Sequence, residues 1–304
     1  MNQRRKISVN KIHTYTGHKD CLYTLERYDD ETFFSAGGDG MVVWWSLTKP
    51  EKGTMIAKVP ASIYALSYDS KSDELIVGQN FDGIHIIRVQ DRREVGSLSL
   101  TEAAIFDIQR DGNLIYIGTG AGELIVVDRS SMQILKRIKL SEKSARTIAF
   151  SDEEVFVGYS DNQIRIFEKG RFDHIDTLEG HKISVFSLQY DKERDLLISG
   201  SRDASLKFWN LKNRTLDESI AAHMFAINHI SYSPDRRYFV SCSMDKAIKV
   251  WDAESRKLLK VIDKSRHAGH GTSVNKLLWM DYNDLLVSCS DDRSISVWDI
   301  KFEE

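Results

Sequence analysis

Short apolar or alternating runs, separated by charged and turn-forming residues, follow one another along the chain. The clearest stretch has an apolar-rich run at 185–190, a charged turn at 191–195, a second run at 196–200 and an alternating run at 205–211. A fourth run at 216–221 closes that stretch, and runs at 257–262 and 136–138 stand in the same place elsewhere. Turn residues recur at matching positions: Arg110-Asp111-Gly112-Asn113, Ser233-Pro234-Asp235 and Asp281-Tyr282-Asn283-Asp284. The pattern predicts an all-β chain built from four-stranded antiparallel sheets. One such sheet cannot bury both faces alone, so neighbouring sheets must stack around an axis.

A spaced set of four residues fixes how many sheets there are. A His is followed by a Ser 17 or 18 positions later, an Asp four beyond the Ser and a Trp six beyond the Asp. The sets are His18, Ser35, Asp39, Trp45; His181, Ser199, Asp203, Trp209; His223, Ser241, Asp245, Trp251; and His270, Ser288, Asp292, Trp298. Weaker copies fill the gap after Trp45, with Arg88, Val127 and Phe167 standing where Trp is expected. Successive markers are then 43, 39, 40, 42, 42 and 47 residues apart. Seven units of this length predict one seven-bladed β-propeller spanning 1–304, with no linker rich in Gly, Ser or Pro to mark a second domain. The last unit has only four residues after Trp298-Asp299-Ile300, too few for a fourth strand. Residues 11–16 precede His18 as a fourth strand precedes the other His residues, so they are expected to complete the seventh sheet and close the ring.

Charge narrows the classes of partner. Forty-two basic residues against 45 acidic ones give a net charge of -3, which offers no bulk attraction for nucleic acid. Arg4, Arg5 and Lys6 are not followed by an apolar stretch of signal-peptide length, and no run is long enough to cross a membrane as a helix. Cys21, Cys242 and Cys289 are odd in number and scattered, which fits reduced thiols in the cytoplasm.

His, Ser and Asp together suggest a hydrolase triad, but a nucleophile is needed once, and this constellation recurs four times with a Trp bound into its spacing. It reads as a packing device, and no catalytic residue is assigned. Gly118, Gly120 and Gly122 lie between two predicted strands and read as a hairpin turn rather than a phosphate loop. His267 and His270 lack further ligands at metal-binding spacing, so neither a metal nor a cofactor is expected.

With Gly17-His18, Gly180-His181, Gly269-His270, Trp251-Asp252 and Trp298-Asp299 added to the four sets, the chain resembles the WD-repeat β-propellers over essentially its whole length. The resemblance implies that each His, Ser, Asp and Trp forms a hydrogen-bonded structural tetrad, and that the narrow face around the channel mouth binds protein partners. Its exposed positions would lie three and five residues after the tetrad His and one before the Asp. The +5 residues are Tyr23, Tyr64, Phe106, Arg146, Phe186, Asn228 and Asn275, and every +3 residue, from Cys21 to Ser273, is small. Before the Asp stand Gly38, Phe81, Ala121, Ser160, Arg202, Met244 and Asp291.

Large flat groups beside small ones, with two cationic points, suit a shallow groove for a peptide or protein segment, one whose acidic side chains could reach Arg146 and Arg202. The plainer alternative is that the rings only pack the channel wall. A non-catalytic interaction scaffold is therefore the leading reading. The other is a propeller enzyme, or a binder of small polar ligands, with its site at the channel mouth. The predicted rim holds a single carboxylate, Asp291, where an enzyme needs converging titratable groups. In the second unit Asp82 keeps the tetrad spacing, so Arg88, six residues on, is expected to pair with it.

Overall fold

The computed structural model describes residues 6–303. Arg4 and Arg5, read above against a signal segment, lie outside the described residues. The strands assemble into seven four-stranded antiparallel sheets. In blades 1 to 6 the strands a to d follow one another in sequence; in blade 5 they are Val185–Asp191, Leu196–Ser201, Ser205–Asn210 and Thr215–Ala221. Strand d is the outermost and the most exposed, and strand a faces the centre.

Blade 7 is made from both ends of the chain. Lys6–Thr16 pairs antiparallel with Ser294–Glu303, from Ile7 opposite Phe302 to Thr16 opposite Ser294. The N-terminal strand thus closes the ring, and it extends further toward the N-terminus than the 11–16 segment legible from the repeat. Tyr238 of blade 6 stacks on Phe302 with centroids 3.7 Å apart, so the closing pair is also fastened to its neighbour.

Burial lies between blades rather than within them. One apolar cluster joins Ile76, Ile84 and Ile86 of blade 2 to Ile105, Ile115 and Ile117 of blade 3, and another joins Tyr116, Leu124 and Val126 of blade 3 to Val155, Val157 and Phe167 of blade 4. These β-branched and aromatic contacts hold the blades that have no Trp, because each inner face is covered only when its neighbour is present.

Strand register corrects the assignments in two of those blades. In blade 5 the ladder ends at Gly200 opposite Leu206, with Leu197 opposite Trp209. In blade 2 the equivalent pairs are Gly78 opposite Ile84 and Leu75 opposite Ile87. Ile87, not Arg88, therefore takes the Trp position, and Phe81, not Asp82, takes the Asp position. Asn80 precedes it, donating its backbone N–H to the Ser62 carbonyl as Arg202 donates to Ser184. The same register makes Gly120 rather than Ala121 the residue before the Asp position in blade 3.

The expected pairing of Asp82 with Arg88 is consequently absent. Asp82 accepts from Ser99 Oγ at 2.7 Å and Gln79 Nε2 at 3.3 Å, whereas Arg88 sits opposite Glu74 at the far end of strand c. Five residues of extended chain put it roughly 17 Å along the strand from the turn. A charged substitute of the anticipated kind occurs in blade 4, where Arg165, four residues after Asp161, donates to its carboxylate at 2.8 Å and lies over the Tyr159 ring.

Candidate functional site

The four tetrads show how the narrow face is held rigid. In blade 5 the Trp209 indole N–H donates to Ser199 Oγ at 2.8 Å, Ser199 lies 2.7 Å from His181 Nε2, and His181 Nδ1 lies 3.0 Å from Asp203. The ring is then satisfied as a neutral imidazole, its Nδ1–H donated to the carboxylate and its Nε2 accepting from the serine. Trp45, Ser35, His18 and Asp39 repeat this, as do Trp251, Ser241, His223 and Asp245, and Trp298, Ser288, His270 and Asp292. All four Ser residues are fully buried, so their hydroxyls bridge ring to ring and face no solvent. Burial lowers the pKa of His18, His181 and His223, and hydrogen bonds hold Asp39, Asp203, Asp245 and Asp292 below the ordinary carboxylate value.

Each tetrad Asp also fixes backbone. Asp203 accepts from the Lys182 N–H at 2.9 Å and the Ser205 N–H at 3.0 Å, tying the loop after the His to the b–c turn. In all seven blades the residue before the Asp position donates its N–H to the +3 carbonyl, from Gly38 to Cys21 round to Asp291 to Ser273. Side chains carried on these loops are therefore presented on well-determined backbone.

All seven +5 side chains line one central cavity of about 860 Å³. Five of them also touch one another in ring order. Tyr23 meets Tyr64 edge-on at 4.7 Å, Tyr64 stacks on Phe106 at 5.6 Å, and the Arg146 guanidinium lies 3.8 Å from the Phe106 centroid and 4.5 Å from that of Phe186. On the other side Asn228 donates to the Val274 carbonyl at 2.8 Å, and Asn275 to the Leu22 carbonyl and to Asp291, each at 2.7 Å. These seven residues form a collar that is partly buried rather than prominent. Burial lowers the Arg146 pKa to about 10, with Tyr64 opposing and Arg202 adding to the shift.

Further down the channel, one position beyond the collar on strand a, polar side chains lace neighbouring blades together. The Asp107 carboxylate accepts from the Ile148 N–H at 2.7 Å, Ser187 Oγ from the Ile230 N–H at 3.0 Å, and His229 Nδ1 from the Leu277 N–H at 3.3 Å. Glu26 accepts from the Tyr68 N–H at 3.0 Å, and burial pushes its pKa up to about 7. Burial also raises Asp107 and lowers His229. The rim positions named from sequence held one carboxylate; this inner layer of titratable groups was not anticipated. Its signal was a polar or charged residue directly after every +5 position except Tyr64, as in Phe106-Asp107, Asn228-His229 and Asn275-Lys276, with Glu26 three residues beyond Tyr23.

The most exposed apolar groups stand on the loops. Phe81 is 67% exposed and Met244 52%. Met224 at 82%, Phe225 at 58% and Ile183 at 43% were missed, because they follow the tetrad His at positions that read as ordinary turn. Their signal was an apolar pair, Met224-Phe225, where blade 1 has Lys19-Asp20. The small +3 residues vary, with Ser184 and Ala226 buried. Phe81 also has a positive φ of 67°, one residue earlier than the positive φ at Ala204, Lys246 or Arg293 in blades 5 to 7. A bulky residue in the left-handed region is strained, and this one projects into solvent. Among the described residues no helix is long and apolar enough to cross a membrane.

A family model described as "WD domain, G-beta repeat" matches residues 9–46, 172–210, 214–252 and 261–299, just over half of the chain. Striatin-3 of Rattus norvegicus is 22% identical over 257 residues, covering 71% of this chain and 31% of the relative. Striatin of Homo sapiens is 22% identical over 250 residues with the same coverages, and the striatin homolog of Dictyostelium discoideum is 20% identical, covering 68% and 30%. The chain thus spans under a third of the length of these relatives. Among solved structures, the WD40 β-propeller domain of Doa1 superposes with a TM-score of 0.83 at 19% identity, over 95% of this chain and 96% of that one.

Proposed function

Because the chain belongs to the WD40 repeat family, a protein-interaction fold in general, we propose that it is a non-catalytic scaffold binding a peptide or protein segment on the narrow face, around the mouth of the channel. The observation that carries this reading is convergence: seven residues from seven separate blades, including four aromatic rings and one Arg, meet at a single cavity. The exposed Phe81, Met224, Phe225 and Met244 on the same loops supply apolar area with no cover of its own. A strained, solvent-facing Phe81 is what selection for binding rather than stability would leave. The buried Ser of each tetrad is spent as a structural bridge, and Asp107 and His229 bond backbone amides of neighbouring blades, which favours a rigid platform over an active site. A reducing, cytoplasmic setting suits its three thiols.

Affinity purification with the wild type, Phe81→Ala and Met244→Ala side by side tests the proposal. Both side chains are exposed, so stability should stay within about 1 kcal/mol of wild type. Partner recovery should fall several-fold for at least one of them. Variants that stay folded and recover every wild-type partner equally well would move the functional surface elsewhere, to the wide face or the blade edges.

A further inference from the structure

The narrow face is not uniform, and its asymmetry bears on what it binds. Over blades 5 to 7 the loops expose four cations, Lys182, Arg202, Lys246 and Arg293. Among the described residues none of their side chains enters an ion pair or a hydrogen bond. The carboxylates of the same loops are already used: Asp203, Asp245 and Asp292 accept from tetrad histidines, and Asp291 from Asn275. Across the mouth the exposed loop charges are of both signs, Lys19 and Asp20 on blade 1, Glu102 on blade 3, and Lys143 with the Lys139-paired Glu142 on blade 4. Apart from Phe81 on blade 2, the exposed apolar loop groups named above lie on the cationic side, Ile183 on blade 5 and Met224, Phe225 and Met244 on blade 6. These groups are stitched into one surface, since the blade 5 turn bonds the start of the blade 6 loop through the Ala222 and His223 N–H groups to the Ala204 carbonyl.

Arg146 extends this surface into the channel. Its guanidinium is held between the Phe106 and Phe186 rings, 3.8 and 4.5 Å from their centroids, and no side chain or carbonyl of the described residues accepts from it. A guanidinium has five N–H donors, and those of Arg146 are only partly buried, so they stay open to an incoming acceptor. Two rings steady the cation but satisfy none of those donors. Arg202, on the neighbouring blade, is close enough to disfavour the Arg146 charge, so two cations share the edge of the mouth without a counter-ion.

We propose that the segment bound on the narrow face is acidic and amphipathic, with an Asp or Glu carboxylate received by Arg146 and Arg202 at the channel mouth and an apolar side chain seated on Met224, Phe225 and Met244. This rests on the peptide-binding reading above and adds to it the chemistry and the place of the occupant. A carboxylate between two guanidiniums gains charge-assisted hydrogen bonds in a site already shielded by rings. The flanking Lys182, Lys246 and Arg293 draw an acidic chain to blades 5 to 7, whose exposed loop cations have no partner among the described residues, whereas the loops opposite carry charges of both signs.

The test uses the full chain and four fluorescein-labelled peptides: alternating Glu and Leu, the same with Gln for Glu, the same with Lys for Glu, and the same with phosphoserine for Glu. Fluorescence anisotropy should rank the first three in that order, Gln at least tenfold weaker than Glu and Lys with no measurable binding. Raising salt from 50 to 500 mM should weaken the Glu peptide several-fold and leave the Gln peptide nearly unchanged. Arg202→Ser and Arg146→Met should each weaken the Glu peptide tenfold or more, and Met224→Ser with Phe225→Ser should weaken the Glu and Gln peptides alike. Arg202 makes no contact that folding needs, so its variant stays informative even if Arg146→Met melts early. Equal binding of the Glu and Gln peptides, both lost in the Met224/Phe225 variant, would overturn the acidic preference while leaving peptide binding intact. Stronger binding of the Lys peptide, or no binding of any peptide, would overturn the proposal, as would tight binding of a phosphoserine peptide where the Glu peptide fails.

Discussion

A Trp of the tetrads and a Phe of the rim are both large aromatic residues, yet they answer to opposite demands. Trp209 and Trp251 are buried and donate to a buried serine, so replacing either by Ala leaves a cavity and an orphaned hydroxyl network. Such a change should cost about 3 to 5 kcal/mol in a denaturant melt. Phe81 faces solvent with a positive φ, a conformation that glycine adopts without strain. Phe81→Gly is therefore expected to leave stability unchanged or raise it by about 1 kcal/mol while weakening partner binding. A large loss of stability in that variant would show that the ring packs against the protein after all. Arg146 lies between these extremes, because stacking on Phe106 and Phe186 makes it part of the collar as well as a point of contact.

At the scale of the element, the closing strand matters most. Lys6–Thr16 is the outer strand of blade 7, and its removal leaves the Ser294–Glu303 edge unpaired along its length. Deleting residues 1–16 should cause aggregation or a large drop in Tm, and a truncated chain as soluble and heat-stable as the full one would refute this. The blades without Trp show that the tetrad is one solution among several. Blade 4 pairs Asp161 with Arg165 across strand c, while blades 2 and 3 depend on Ile, Val and Tyr packed against their neighbours. The repeat spacing made these blades countable but left the register of blades 2 and 3 one residue out at the b–c turn. Counting from a distant marker cannot see where a turn shifts its positive φ, and hydrogen-bonded pairs can.

For the whole molecule, pH should separate two kinds of buried group. The tetrads keep His18, His181 and His223 neutral with folded pKa values below 6.5, and keep their Asp partners ionised below 3.8. The unfolded chain binds those protons more readily, so this stability is complete above pH 6.5 and is lost as pH falls. Glu26 acts in the opposite sense. Its folded pKa of about 7 lies above the unfolded value of 4.5, so its contribution is complete below 4.5 and is lost as pH rises through 7. Glu26→Gln keeps the acceptor for the Tyr68 N–H and cannot ionise. It should match wild type near pH 4, become progressively more stable than wild type from pH 4.5 to about 7, and keep a constant advantage above that, read as Tm. A constant difference from pH 4.5 to 7 would mean that Glu26 titrates alike in the folded and unfolded chain.

Local pattern alone determined the strands, their number per blade, the seven-fold repeat and the residues of the four tetrads, because each depends on spacing within some 40 residues of chain. The seven +5 positions were equally legible, since strand a carries them at one phase of its alternation. Only the tertiary structure decided what those positions do to one another. Ring closure brings Tyr23, Tyr64, Phe106, Arg146 and Phe186 from five blades into a continuous stack, and no period along the chain encodes contact between blades. It likewise decided that Ile183, Met224, Phe225 and Met244 are left exposed on blades 5 and 6 beside unpaired cations, because exposure depends on which loops neighbouring blades leave uncovered.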